Sequence, residues 1–261
     1  MLGWRLLIPL RASNHIVWWR AGGLSPALFV HFTRVIMKCM GDDIRQIIGY
    51  VFSVFVITLF SMILHELMHG FVALKLGDNT AKYSGRLSLN PLKHIDPVMT
   101  ILVPVLLALA GGPIFGGAKP VPVNKYKLKY GEWGFALVAI AGPLTNFVLA
   151  FLFFLVGYWM GLIGPYGYIQ GNFWSTLMAL GVQINLGFML FNIIPIPPLD
   201  GSRVLYAIAP EGGIRDFMDS IERYGIIVIY FCLFFFGTVF SMYMAGATDG
   251  ILRLFTTLVG A

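Results

Sequence analysis

Five long apolar stretches, most of them separated by loops that carry Lys and Arg, set the pattern of this chain. They run from about Ile47 to Leu76, Pro97 to Gly112, Gly134 to Ile163, Phe173 to Ile194 and Tyr224 to Ala245. A helix that crosses a bilayer needs about 20 apolar residues, so four of the five are long enough and the second is marginal. The second also carries Pro104 inside it and breaks at Gly111-Gly112-Pro113. It reads as a re-entrant hairpin, a kind of backbone that protein must cover or that lines a cavity. The fourth ends in Pro195, Pro197 and Pro198, which cannot continue a regular helix without loss of hydrogen bonds. The predicted fold is an all-α membrane protein. It is a polytopic helical bundle with a three-helix core and small strand-like or re-entrant elements, the strand-like ones around Tyr83 to Leu89 and Pro120 to Tyr126.

Composition agrees. Hydrophobic residues make up 58% of the 261 residues and charged ones 11%, where a soluble domain carries about a quarter charged residues. The net charge of +6 lies in loops between apolar runs, which argues for membrane orientation and against nucleic-acid binding. Cys39 and Cys232 make no disulfide framework.

Loop charge also orders the topology. Lys75, Lys82, Arg86 and Lys93 precede the second stretch, and Lys119, Lys125, Lys127 and Lys129 follow it, so a hairpin keeps both loops in the cytoplasm. The loop from Gly164 to Asn172 has no Lys or Arg and reads as external, whereas Arg203, Arg215 and Arg223 mark a cytoplasmic loop. The first and fourth stretches then both end near the cytoplasm. Residues 1–40 do not fit this scheme, because Arg5, Arg11, Arg20, Arg34 and Lys38 would be external. They are read as an extension to a membrane-embedded domain at 41–261. The favoured explanation is a native start at Met37 or Met40; a further membrane element around Ala27 to Met37 is the alternative.

The sharpest chemical signal is His65-Glu66-Leu67-Met68-His69 near the end of the first stretch. Residues four apart share a helix face, so both imidazoles reach one ion, and the glutamate beside the first can reach a water there. Zinc suits such a site and in catalysis typically takes three protein ligands. Ionisable groups inside an apolar segment are costly and therefore functional by default. Asp200, in Pro198-Leu199-Asp200-Gly201, is the favoured third ligand, because loop charge alone puts it at the depth of the histidines. Glu132, Asp96 and Asp249 are poorer candidates. Asn146 and Asn192, buried amides in the third and fourth stretches, are candidates for substrate contact, with a helix-to-helix hydrogen bond as the other reading.

With these residues in view, the chain resembles the site-2 protease family of intramembrane zinc metalloproteases. The resemblance rests on His65-Glu66-Leu67-Met68-His69, Ala141-Gly142-Pro143-Leu144-Thr145-Asn146 and Pro198-Leu199-Asp200-Gly201, with Gly85 to Pro97 and Ala118 to Asn124 similar to its small prokaryotic branch. It covers about Met40 to Val204. Gly117 and Lys125 depart from the residues often found there, tryptophan and proline, in a loop outside the ligand set. The resemblance implies one zinc per chain on His65, His69 and Asp200, Glu66 as the catalytic residue, and Asn146 and Asn192 lining a site nearer the cytoplasmic face of the cell membrane. It implies membrane-protein substrates with a transmembrane segment. Two rivals remain, a zinc-binding membrane protein without protease activity and a metal-ion channel or exporter. Glu66 counts against the first, since ion binding alone needs no base, and the scarcity of polar residues in the third and fifth stretches counts against the second.

Overall fold

The computed structural model describes residues 11–12, 15–16, 44–102, 117–164, 167–168 and 172–260. The described elements are mainly helical. Helix α1 (Ile44–Lys75) is followed by the short α2 (Thr80–Tyr83), a 3-10 turn at Pro91–Lys93, a π-helical turn at Pro97–Leu102 and a second 3-10 turn at Lys125–Lys127. Then come α3 (Gly131–Trp159), α4 (Phe173–Asn192), α5 (Gly201–Ile208) and α6 (Gly213–Val259). Strands are confined to two antiparallel pairs of two residues each, Arg11–Ala12 with His15–Ile16 and Ile163–Gly164 with Gly167–Tyr168.

Among the described residues, four helical spans are long and apolar enough to cross a membrane: Ile48–Lys75, Gly131–Trp159, Phe173–Asn192 and Ile227–Val259. This is the polytopic all-α architecture that the sequence predicts. The last span runs beyond the predicted end at Ala245. The polar run Thr248, Asp249 and Gly250 looks like a stop in the sequence, but the helix carries through it to bury Phe255. Of the re-entrant hairpin only 97–102 is described; Pro104 and Gly111 to Pro113 lie outside the described residues, as does nearly all of the extension at 1–40. The two segments expected to be strand-like are not strands. Tyr83 ends α2 and 84–89 are turn and irregular backbone, while 120–124 have no regular secondary structure and 125–126 belong to the second 3-10 turn.

Helix α3 is central and packs against α1, α4 and α5. In lipid, helices gain little by hiding apolar surface from one another, so close approach relies on small residues and hydrogen bonds. Ala136, Ala139, Ala141, Gly142 and Ala150 supply that small surface on α3, all buried. Large apolar side chains instead face outward, among them Phe52, Phe55 and Phe60 on α1 and Phe231, Phe234 and Phe235 on α6. One core cluster joins Ala150 and Phe154 of α3, Val182 and Leu186 of α4, and Phe255 of α6. The Phe255 ring lies 4.9 Å from that of Phe151 and 5.4 Å from that of Phe154. Asn172 caps α4 by accepting the Trp174 N–H at 2.9 Å, satisfying one of the helix's free donors.

The loops at one end are tied by three polar anchors. Asp78, buried, accepts the N–H and hydroxyl of Thr80 and the N–H of Asn124. Burial pushes its carboxyl up, but those hydrogen bonds and nearby Lys127 outweigh burial and hold it below the usual range. Arg86 donates to the carbonyls of Lys93, Lys119 and Pro120. His94, fully buried, bonds the Ser88 carbonyl at 2.7 Å and so braces the same loop.

Candidate metal centre

Helix α1 brings His65 and His69 to one face, four residues apart, where helix α3 crosses them. The contacts use residues of α3 that are eight apart, about two helical turns. His69 Nδ1 bonds the Val138 carbonyl at 2.7 Å, and His65 Nδ1 bonds Asn146 Oδ1 at 2.6 Å. Between those two residues sits Gly142. A Cβ there would lie 2.4 Å from His69 Nε2 and 2.6 Å from His65 Cε1, so only a glycine lets α3 come this close to both rings. Pro143 next to it removes one helical N–H, the one that would bond the Ala139 carbonyl.

Asp200 arrives from the chain that leaves α4. After Asn192 the helix gives way to a proline-rich turn with a cis bond between Pro197 and Pro198, and Asp200 stands at the start of α5. Gly201 is required by the turn's tightness, since a Cβ would meet the Ile193 carbonyl oxygen at 2.1 Å and the Ile194 oxygen at 2.7 Å. The result places Asp200 Oδ2 3.1 Å from His65 Nε2 and 3.4 Å from His69 Nε2, with the two Nε2 atoms 3.0 Å apart.

Protonation decides what this triangle is. Each Nδ1 faces an oxygen that accepts, so each ring carries its proton on Nδ1 and presents a bare lone pair at Nε2. The short N···O separations resemble ion pairs, yet in the neutral tautomer neither Nε2 has a proton to give, and Asp200 Oδ2 is buried without a hydrogen bond. Three electron-rich atoms thus converge on one point, the arrangement a bound cation requires. A tetrahedral ion with ligands at about 2.0–2.1 Å places neighbouring donors about 3.3 Å apart, close to the spacings seen. Two imidazoles and a carboxylate are a fitting donor set for zinc. Among the described residues, these three form the one such group of His, Cys, Asp or Glu.

Glu66, half-buried, turns from the ligand pair toward the loop at 117–124, where its Oε2 accepts the Val121 N–H at 2.9 Å. Prolines on both sides leave Val121 the only N–H donor of that tripeptide. Of the two readings offered for Asn146, its contacts here are those of the second, hydrogen bonds to neighbouring helices. It is fully buried, and its amide is used at both ends, Oδ1 on His65 and Nδ2 on Asn185 Oδ1 at 3.0 Å. Asn192 is half-buried at the end of α4, with Nδ2 on the Phe188 carbonyl at 3.0 Å. The rejected carboxylates lie elsewhere: Glu132 pairs with Lys125 at 3.7 Å and Asp96 accepts the Val98 N–H. Sequence reasoning missed Asn185, whose signal was available as an amide inside an apolar span. It also missed the Val138 carbonyl and the Val121 N–H, which as backbone groups carry no residue signature.

Comparison with known proteins bears on the same residues. Over 213 residues the chain is 42% identical to a Bacillus subtilis protein named "Putative zinc metalloprotease YwhC", covering 78% of this chain and 91% of that one. It is 34% identical over 163 residues to the Mycolicibacterium smegmatis protein named "Putative zinc metalloprotease Rip2", covering 61% of this chain and 59% of that one. A Methanocaldococcus jannaschii protein of the same printed description, MJ0611, is 34% identical over 172 residues, 60% of this chain and 77% of its own. No family model and no solved structure matches. A likeness that spans nearly the whole of YwhC, in a chain whose membrane helices gather His65, His69 and Asp200 around one point, shows that this chain belongs to the site-2 protease family of zinc metalloproteases.

Proposed function

We propose that this chain is an intramembrane zinc metalloprotease that hydrolyses peptide bonds in or near the transmembrane segments of membrane proteins. One observation carries the reading: two buried histidines and a partly buried aspartate converge in a bundle of membrane-length helices, with Glu66 beside the first histidine. His65, His69 and Asp200 hold one zinc per chain. Bound there, zinc supplies Lewis acidity toward the attacking water and the scissile carbonyl. Glu66 is the general base. Val121 holds one carboxylate oxygen, and the other takes a proton from the water and returns it to the leaving amine. Asn192 keeps its side-chain carbonyl without a partner among the described residues, and it contacts the substrate backbone. The loops beside the site carry Lys82, Arg86, Lys93, Lys119 and Lys125, and this basic set supports a site nearer the cytoplasmic face of the cell membrane.

A substrate helix keeps its amides in internal hydrogen bonds, so it must unwind locally before a carbonyl can be reached. The test has two arms on detergent-purified protein. Wild type and Glu66→Gln each hold about one zinc per chain, whereas His65→Ala and Asp200→Ala lose it. Of tagged single-span membrane proteins co-expressed with each form, wild type cuts some in or beside the span and Glu66→Gln cuts none. Full zinc in Asp200→Ala would refute the ligand set, and cleavage confined to soluble regions would refute the intramembrane reading.

A further inference from the structure

The orientation of His65 is set from the far side of α3. A run of hydrogen bonds begins at the Gly181 carbonyl on α4, which can only accept. Asn185 Nδ2 donates to it at 2.8 Å. Each amide has one donating and one accepting end, so this first bond fixes the direction of the rest. Asn185 Oδ1 must then face α3, where it accepts from Asn146 Nδ2 at 3.0 Å. That in turn leaves Asn146 Oδ1 for His65 Nδ1 at 2.6 Å. Both asparagines are 0% exposed, so solvent does not stand in for either. His69 needs no such relay, because a backbone carbonyl meets its Nδ1 directly.

We infer that Asn185 is a positioning residue for the metal ligand His65: through Asn146 it fixes the proton on Nδ1 and turns the bare Nε2 toward the ion. Outer partners of ligating histidines set ring orientation and tautomer. Here that partner is itself held by a second amide on another helix. The inference rests on His65 being a ligand, as proposed above. Its rival is that Asn185 only glues α3 to α4, a common task for membrane amides.

A double-mutant cycle separates the two. Asn185→Leu, Asn146→Ala, their combination and His65→Ala are purified as full chains. Apparent zinc affinity is read by competition with a chelator, and the visible spectrum is recorded after loading with cobalt. Asn185→Leu is expected to weaken zinc on the order of tenfold, toward the lower end for outer-shell partners of a metal site, and to alter the cobalt bands. The combination should bind no more weakly than Asn146→Ala alone, because both changes cut the same relay. Asn185→Ser, smaller and too short to reach Asn146, should repeat the loss, because the broken relay and not the bulk of leucine causes it. Wild-type affinity in both Asn185 variants, or losses that multiply in the combination, would overturn the inference while leaving the ligand set intact. Tight zinc in His65→Ala would instead remove the ligand reading and this inference with it.

Discussion

The two halves of the metal centre are built differently. The histidine half belongs to two crossing helices, and every polar atom that orients it is buried: Asn146 and Asn185 are 0% exposed, and the Val138 carbonyl lies in the middle of α3. The aspartate half hangs on a turn and a short helix. One buried bond ties its turn, the Ser202 hydroxyl on the Leu199 carbonyl at 2.6 Å, and beyond it stands the Arg203–Glu222 pair, whose side chains are 20% and 37% exposed. A group held by buried hydrogen bonds moves only if those bonds are left unmade, at about 1–3 kcal/mol each. A group held through a partly exposed ion pair moves more cheaply. By this comparison the histidines, the template, are the more firmly held half and Asp200 the less firmly held one.

The strongest way to break this comparison is to strike the template. Gly142→Ala puts a methyl group against both rings at once, and neither ring can turn aside without losing its Nδ1 bond. Misplacing a catalytic group by about 1 Å can cost on the order of 100-fold in rate, so activity should fall at least that far. Zinc content should drop with it while helical content by circular dichroism is kept. A Gly142→Ala protein with full zinc and activity would show that the rings tolerate displacement, and the template would not be rigid.

Gly201→Ala strikes the other half. The added methyl meets backbone, the Ile193 carbonyl oxygen at 2.1 Å, so the turn must open and carry Asp200 with it. Overpacking of this kind costs about 1–3 kcal/mol. Because the histidines stay in place, zinc binding should weaken on the order of 10- to 100-fold and not vanish. Chelator competition measures it directly. A loss as complete as that expected of Gly142→Ala would mean that Asp200 is part of the template.

How much of this was legible in the sequence differs between the same two halves. His65, Glu66 and His69 announce themselves by spacing on one helix, and apolar runs of about 20 residues locate the spans. Asp200 was reachable only because loop charge put two distant segments at one depth. Asn146 was legible as a buried amide but not in its direction, because nothing local says whether an amide faces a substrate or a neighbouring helix. The ends of α6 misled for a related reason. Asp249 and Arg253 look too polar for a span, but tertiary packing of Phe255 against Phe151 and Phe154 carries the helix past them. Contacts made by backbone atoms, such as the Val121 N–H on Glu66, leave no mark in residue identity at all.

The gentlest probe is the ion pair itself. Arg203 lies one helical turn beyond Asp200, and its guanidinium forks onto both Glu222 oxygens while stacking 5.1 Å from the Phe135 ring. Hydrogen bonds from Arg203 hold the Glu222 carboxyl below its ordinary range, against the opposing pull of burial. A carboxylate with a lowered folded-state value contributes stability that is complete above its ordinary range and is lost as pH falls through the lowered one. Glu222→Gln should therefore lower the thermal midpoint slightly at neutral pH, by less than about 1 kcal/mol of stability, and more weakly still in high salt. On acidification its midpoint should fall less steeply than that of wild type, since the variant has no carboxylate there to protonate. Zinc affinity should change by less than about threefold, below even the low end for outer partners of a metal site. If Glu222→Gln instead costs as much zinc as Gly201→Ala, the pair would hold Asp200 as firmly as the buried amides hold His65. The aspartate half would then be a second rigid template, fixed from helix α5 and the start of α6 instead of from the crossing of α1 and α3.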